Sequence, residues 1–291
     1  MLHGVELTTS STPCSFEHRA HADDPLPSAS ALVRAAKERI GGRAWDDITS
    51  FEAVATAKSA MGDARIEYRF IAPDSHLLVQ ALPNNRGVME IGAVKGKAWM
   101  GEPGRARAMD PTMAHEMADG GDLQTLVRSI EDRFEAFETV GRESIDGKVV
   151  WKITMEPRKA EAPREATRPR DANDAAGKST ATSLNRWTLL IDAATGLVYG
   201  FDIPAPPTDE VSTATTATKQ TIRLAQFEAV EHPSQLKDGA KLLAFREATV
   251  TAGGMQTTLV YAKVAVNMLD KNAIKPPATL DPAPTAPRAK Q

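Results

Sequence analysis

A single cysteine, Cys14, stands among 291 residues. An intrachain disulfide and any cysteine-rich metal site are therefore excluded. Aromatic residues make up only 5 % of the chain, which argues against a base-stacking platform or an aromatic strip for sugars. The net charge of −3 gives no general attraction to nucleic acid or to anionic surfaces, and nucleic acid is not expected as a partner. Long apolar runs are missing too. No segment approaches the ~20 apolar residues of a membrane-spanning helix. The opening stretch Met1–Leu7 has no basic n-region and no apolar run of about 7–15 residues, and the first basic side chain is Arg19. Ser11-Thr12-Pro13 before Cys14 matches a lipoprotein cleavage box poorly, so the sequence as written carries no visible export signal.

What is present is β-patterned. A hydrophobic fraction of 42 % and a charged fraction of 25 % are those of a soluble globular chain. The length suits one large β domain or two ordinary ones. Leu242–Val250, a Gly253-Gly254 turn and Thr257–Val266 form the clearest unit. Leu259 and Tyr261, then Val264 and Val266 after a one-residue slip, alternate with polar residues, and Gly-Gly supplies the positive φ of a tight hairpin. The same alternation predicts strands over 51–60, 65–71, 76–82, 88–94, 97–100, 134–142, 148–155, 187–191, 197–203 and 221–230, joined by Asp, Asn, Pro and Gly turns.

Helical spacing occurs twice. Leu32, Ala35, Ala36 and Ile40 form a stripe on a helix capped by Ser28 or Ser30 and ended by Gly41-Gly42. Met113, Met117, Leu123, Leu126, Val127 and Ile130 predict two short helices parted by Gly120-Gly121. Residues 1–27, the inserts 157–183 and 204–219, and the Pro/Ala-rich stretch 278–291 have no core-forming pattern and are expected to be disordered around a domain spanning 28–277. The fold class expected is α+β: one curled antiparallel sheet of about eleven or twelve strands, an incomplete β-barrel, with an N-terminal helix and a short helical lid.

The order of local phrases resembles the LolA/LolB-like outer-membrane lipoprotein-sorting family. The phrases are Ile40-Gly41-Gly42, Ala72-Pro73-Asp74, Gly96-Lys97-Ala98-Trp99, Val140-Gly141-Arg142-Glu143, Ile145-Asp146-Gly147-Lys148, Leu190-Ile191-Asp192-Ala193-Ala194-Thr195-Gly196-Leu197 and Asp238-Gly239-Ala240-Lys241-Leu242. The resemblance implies a half-barrel closed by helices that binds a lipid, an acyl chain or an acylated protein in an apolar cavity. It implies no catalysis and no cofactor, and a periplasmic or cell-envelope setting. The alternative is a protein-interaction or sensor module of the envelope that keeps the fold without a cavity. In the lipoprotein carriers an arginine inside the barrel ties to the lid; Arg65 and Arg69 are both strand candidates for it here.

Each chemical signature fails on its own residues. His115-Glu116 would need a second histidine where Asp119 stands, so it is no zinc-protease motif. Gly92–Ala98 is one residue short of a phosphate loop and ends in alanine. His18 and His21 beside Asp23 and Asp24 have no preorganised surroundings. His76 and His232 flank strands with no nearby nucleophile. No metal or catalytic set is expected. The ligand-contact candidates are the dry-face residues Tyr68, Phe70, Leu77, Val79, Ile91, Trp99, Trp151, Trp187 and Tyr199, with Met113 and Met117 of the lid, since methionine adapts to varied apolar partners. Plain core packing accounts for the same pattern, and alternation does not say which side of the sheet holds a cavity.

Overall fold

The computed structural model describes residues 25–120, 122–158, 186–205, 219–232 and 241–281. Most of the expected tails and inserts lie outside the described residues. Helix α1 (Ala29–Arg39) leads into β1 (Ser50–Ser59), β2 (Gly62–Ile71), β3 (Ser75–Ala81), β4 (Val88–Val94), β5 (Lys97–Gly101) and β6 (Arg107–Met109). Helices α2 (Pro111–Gly120), α3 (Leu123–Arg128) and α4 (Ile130–Arg133) follow. Then come β7 (Phe134–Ile145), β8 (Lys148–Pro157), β9 (Trp187–Asp192), β10 (Val198–Ile203), β11 (Gln220–Ala229), β12 (Leu243–Ala252) and β13 (Met255–Val266).

All thirteen strands join one antiparallel sheet, in the order β6-β5-β4-β3-β2-β1-β13-β12-β11-β10-β9-β8-β7. Every neighbour is consecutive in sequence except β1 and β13, which zip the two halves together from Phe51–Val266 to Ser59–Thr257. The sheet is an α+β half-barrel, open between β6 and β7. Those two edges are joined by residues 110–133, which carry α2, α3 and α4 across one face. Thirteen strands at about 4.8 Å spacing would span about 58 Å if flat, whereas that segment as helix reaches only about 36 Å. Curling is what lets so short a crossover work.

Helix α1 buries Ala29, Val33, Ala36 and Ile40 rather than the stripe through Ala35, which is exposed. The buried face thus follows the larger Val33. Gly41 and Gly42 take positive φ, at 123° and 53°, and Ile40 O accepts from Leu243 N at 2.9 Å and from Trp45 Nε1 at 2.8 Å. The main core lies between these helices and the sheet. It gathers Phe51, Tyr68, Ile153, Leu189, Phe201, Ile222, Phe245 and Val264 beneath Val33, Ile40, Leu126, Val127 and Ile130.

The opposite face is half charged and half covered. Glu52 takes Lys263 at 2.6 Å and Arg69 at 3.1 Å; burial alone would raise the Glu52 pKa, but these two cations hold it below the ordinary carboxylate value. Further along, residues 267–281 fold back over the sheet. Ile274, Leu269 and Leu280 cover Ile71, Leu77, Trp99 and Ala106, and Asp281 N and O pair with Ala106 O and Ala108 N at the β6 edge. The Trp99 ring lies on the bare backbone of Gly92, where a Cβ would collide with it.

Candidate functional site

Strand pairing fixes which side chains share a face. Phe51, Phe70 and His76 align across β1, β2 and β3, as do Ala53, Tyr68, Leu78 and Ile91 across β1 to β4. In the other half Trp151 opposes Ile191, and Met155 opposes Trp187. Of the eleven sequence candidates, Tyr68, Phe70, Ile91, Trp151 and Trp187 therefore lie on the helix-covered face. Leu77 and Trp99 lie on the opposite face, under residues 267–281. Val79, paired with Glu67 and Glu90, shares that face, and so does Tyr199, which packs on Val150 and Leu190. The Tyr199 pKa is pushed up to about 12 by burial and by its 2.8 Å hydrogen bond to Asp146. Met113 and Met117 are outward on α2, at 54 % and 41 % exposure.

The helix-covered face divides into two seams of different quality. Under α1, α3 and α4 the seam is full. Asp122 caps α3, its carboxylate accepting from the Gln124 and Thr125 amides at 3.0 and 3.1 Å and from the Thr125 hydroxyl. Gln124 Nε2 donates to Phe245 O at 2.7 Å, tying α3 to the β12 wall. Arg128 stacks 4.5 Å from the Phe51 ring centre and 5.6 Å from that of Trp45. Trp187 sits 5.1 Å from Phe134, and Arg142 lies 3.9 Å over Trp151. The void left between Val33, Ala36, Ile40, Val127 and Leu189 is about 10 Å³, at the limit of room for one water.

The second seam, under α2, is thin. Its apolar wall is Leu78, Ile91, Ala93, Ala98, Met100 and Met109, with the buried His76 opposite Ala93 on the same face. Among the described side chains of α2, Ala114 alone is buried. Asp110 holds the start of the helix, its carboxylate accepting from Thr112 N at 2.8 Å and Met113 N at 3.2 Å. Among the described side chains, then, α2 meets this alanine-rich wall through one buried methyl. The expected lid arginines are elsewhere: Arg65 pairs with Glu67 at 2.8 Å and Arg69 with Glu52, both on the opposite face. The arginine that does lie under the helices, Arg128, is on the lid itself. Helix spacing contained no signal for that role, whereas Asp122 before Leu123 was a readable N-cap.

Asp122 is only 3 % exposed. Burial raises its pKa, and the opposing pull of the Arg128 charge, the Thr125 hydroxyl and the two amides does not cancel that rise. A carboxyl whose folded pKa exceeds its unfolded value of about 3.9 holds its proton longer in the native state. Its contribution to stability is thus greatest below the unfolded pKa and declines as pH rises through the folded one. Asp122→Asn removes this titration. Urea midpoints at pH 4 and pH 8 are expected to show wild type losing stability relative to the variant at the higher pH. An unchanged difference between the two would reject the assignment.

Among the described residues no group of three or more His, Cys, Asp or Glu gathers as a metal site, and no helix is long and apolar enough to cross a membrane. No protein-family model matches the chain, and no curated protein matches it in sequence. Solved structures do match. A LolA superfamily protein from Nitrosomonas europaea aligns at TM-score 0.48 and 10 % identity, over 84 % of this chain and 96 % of that one. A DUF1329 family protein from Desulfovibrio piger aligns at 0.47 and 13 %, over 84 % and 95 %. The Mycobacterium tuberculosis lipoprotein LppX aligns at 0.30 and 15 %, over 81 % and 96 %. The chain is similar in structure to LolA-superfamily proteins, at low sequence identity.

Proposed function

We propose that this chain binds a lipid or acyl chain, without catalysis, in the seam between α2 and the β3–β5 wall, as a carrier or sensor in the cell envelope. The observation that carries the reading is the contrast between the seams. One is filled and anchored through Gln124 and Arg128; the other is an apolar wall shielded by a helix with a single buried methyl among its described side chains. Each acyl CH₂ withdrawn from water gains about 0.8 kcal/mol, so a few methylenes suffice to displace such a cover. On this reading Ile91 is wall, with Phe70 and Tyr68 deeper along the same face; Ala114 is the α2 side chain turned to the ligand, while Met113 and Met117 stay on the outer side of the helix. Trp151 and Trp187 support the packed half, and Leu77, Val79, Trp99 and Tyr199 stabilise the far side. The envelope setting rests on the sequence resemblance.

Uptake of a fluorescent fatty-acid analogue, with native mass spectrometry of the purified chain, tests this. Stoichiometric binding that Ile91→Glu weakens at least tenfold is the expected result. No uptake, or uptake indifferent to Ile91→Glu, would reject it. The filled seam under α1 favours a second reading, an envelope protein-interaction module with no ligand space, and a chain that stays lipid-free throughout would favour that reading.

A further inference from the structure

The β4–β5 turn places two lysines at its tip. Lys95 and Gly96 both take positive φ, 49° and 75°, the backbone of a tight two-residue hairpin, and Lys97 follows. Facing it is the returning segment 267–281. Ile274 is buried with Ile71, Trp99 and Ala106 and anchors that segment. Asp270 turns it, its side chain accepting from Asn272 N at 2.8 Å and its carbonyl from Ala273 N at 2.9 Å. Lys271 and Lys275 are thereby brought opposite Lys95 and Lys97. The four lysines, with Ser75 and Asn272, line a cleft of about 480 Å³ whose floor is Val94 and Ile274. No carboxylate lines the cleft, and none of the four lysines forms an ion pair with a described residue.

Four ammonium groups around one cleft repel each other within about a Debye length, 8 Å at physiological salt. In a chain of net charge −3 this concentration of positive charge is a local feature that an anion would relieve. The neighbourhood says what kind of anion. Lys97 also borders a second cleft of about 420 Å³, walled by Ala98, Ala108, Met109, Pro111 and Leu280. Ala98 and Met109 belong as well to the wall beneath α2. The lysine cleft thus adjoins, through Lys97 at the β4–β5 end of the sheet, a largely apolar cleft that shares Ala98 and Met109 with the wall beneath α2.

We infer that the ligand is an anionic amphiphile: Lys95, Lys97, Lys271 and Lys275 hold the phosphate of its headgroup, and its acyl chain follows the apolar cleft toward α2. This rests on the acyl-binding reading above and adds the headgroup class and its site. Ammonium groups suit phosphate as point charges that need no fixed fork geometry, and the Ser75 hydroxyl and Asn272 amide supply uncharged donors at the same cleft.

The test compares lysophosphatidylglycerol with lysophosphatidylcholine of the same acyl length, and with inorganic phosphate, by titration calorimetry at two salt concentrations. The proteins are wild type, the combined Lys95→Gln, Lys97→Gln, Lys271→Gln and Lys275→Gln variant, and a Lys58→Gln control on exposed β1 surface. Wild type and the control are expected to favour the anionic lipid at least tenfold, less so at high salt. The quadruple variant is expected to bind both lipids alike, at the zwitterionic lipid's affinity. Equal binding of the two lipids by wild type, or no effect of the quadruple change, would overturn the headgroup site and leave acyl binding standing. Binding of neither lipid would overturn the acyl reading itself. Lysine-dependent binding of inorganic phosphate with no lipid binding would overturn the lipid as the source of the anion.

Discussion

Gly200→Ala is expected to destabilise the chain by about 3 kcal/mol or more, although it adds only one methyl group. Gly200 sits in the middle of β10, opposite Leu190 on β9 and Arg223 on β11. The pairing with β9 shifts register between Val198 and Gly200, while the tight approach is on the β11 side. A Cβ there would overlap the Ile222 carbonyl oxygen and come 3.0 Å from its carbon and 3.2 Å from Arg223 Cα. These are backbone atoms of a paired strand, so no side chain can rotate away. Relief requires parting β10 from β11, next to Leu189, Phe201 and Ile222, all buried in the main core. Gly147→Ala is the matched control. Its φ of 77° strains an L-residue, but no atom lies within 4 Å, so a cost of about 1 kcal/mol is expected. Urea unfolding of both variants measures the gap. Equal costs would show that β10 and β11 can separate freely there.

The same glycine shows what could be read from sequence and what could not. The Asp146-Gly147 and Gly253-Gly254 turns are legible because the positive φ they adopt, 51° and 77°, 58° and 75°, is a local demand on residue type. The close approach at Gly200 is set by the partner strand, and a lone glycine in an apolar run does not announce it. Twelve strands fall where apolar stretches between turn residues predict them. The thirteenth, β6, has three residues and exists because β5 on one side and Asp281 on the other offer it partners. Parity is the harder loss. Leu77-Leu78-Val79 is apolar throughout, since Leu78 meets the seam under α2 while Leu77 is covered by residues 267–281. A period of two has no phase in such a run. Residues 267–277 carry no predicted strand or helix and 278–291 read as a disordered Pro/Ala-rich stretch, because Leu269, Ile274 and Leu280 are too sparse to signal packing; the structure nevertheless packs Leu280 and pairs Asp281. The lysine cleft was hidden for the same reason: its two halves are remote in sequence and only the fold-back unites them. On the lid, spacing pointed to Met113 and Met117, whereas the inward position between them is held by Ala114, whose small side chain gives no hydrophobic signal of its own.

That small anchor leads to the largest functional effect expected. Ala114→Asp puts a carboxylate where the structure has a fully buried methyl. Keeping the charge buried and unpaired would cost several kcal/mol, more than one alanine's worth of docking can offset. Helix α2 should therefore leave the wall while the anchored seam under α1 and α3 stays closed. Hydrogen exchange would show this directly: α2 amides approaching intrinsic rates, with Leu189–Ile191 of β9 still protected. If α2 covers the ligand site, wild type binds only in its open fraction, and its apparent affinity is reduced by that fraction. An open state populated at about a tenth or less gives at least tenfold tighter binding of a neutral fluorescent acyl ester once α2 is released. A neutral probe keeps the new carboxylate from repelling the ligand. Released α2 with unchanged or weaker binding would mean that the helix is not the cover of the site, and the seam beneath it would lose its claim to the ligand.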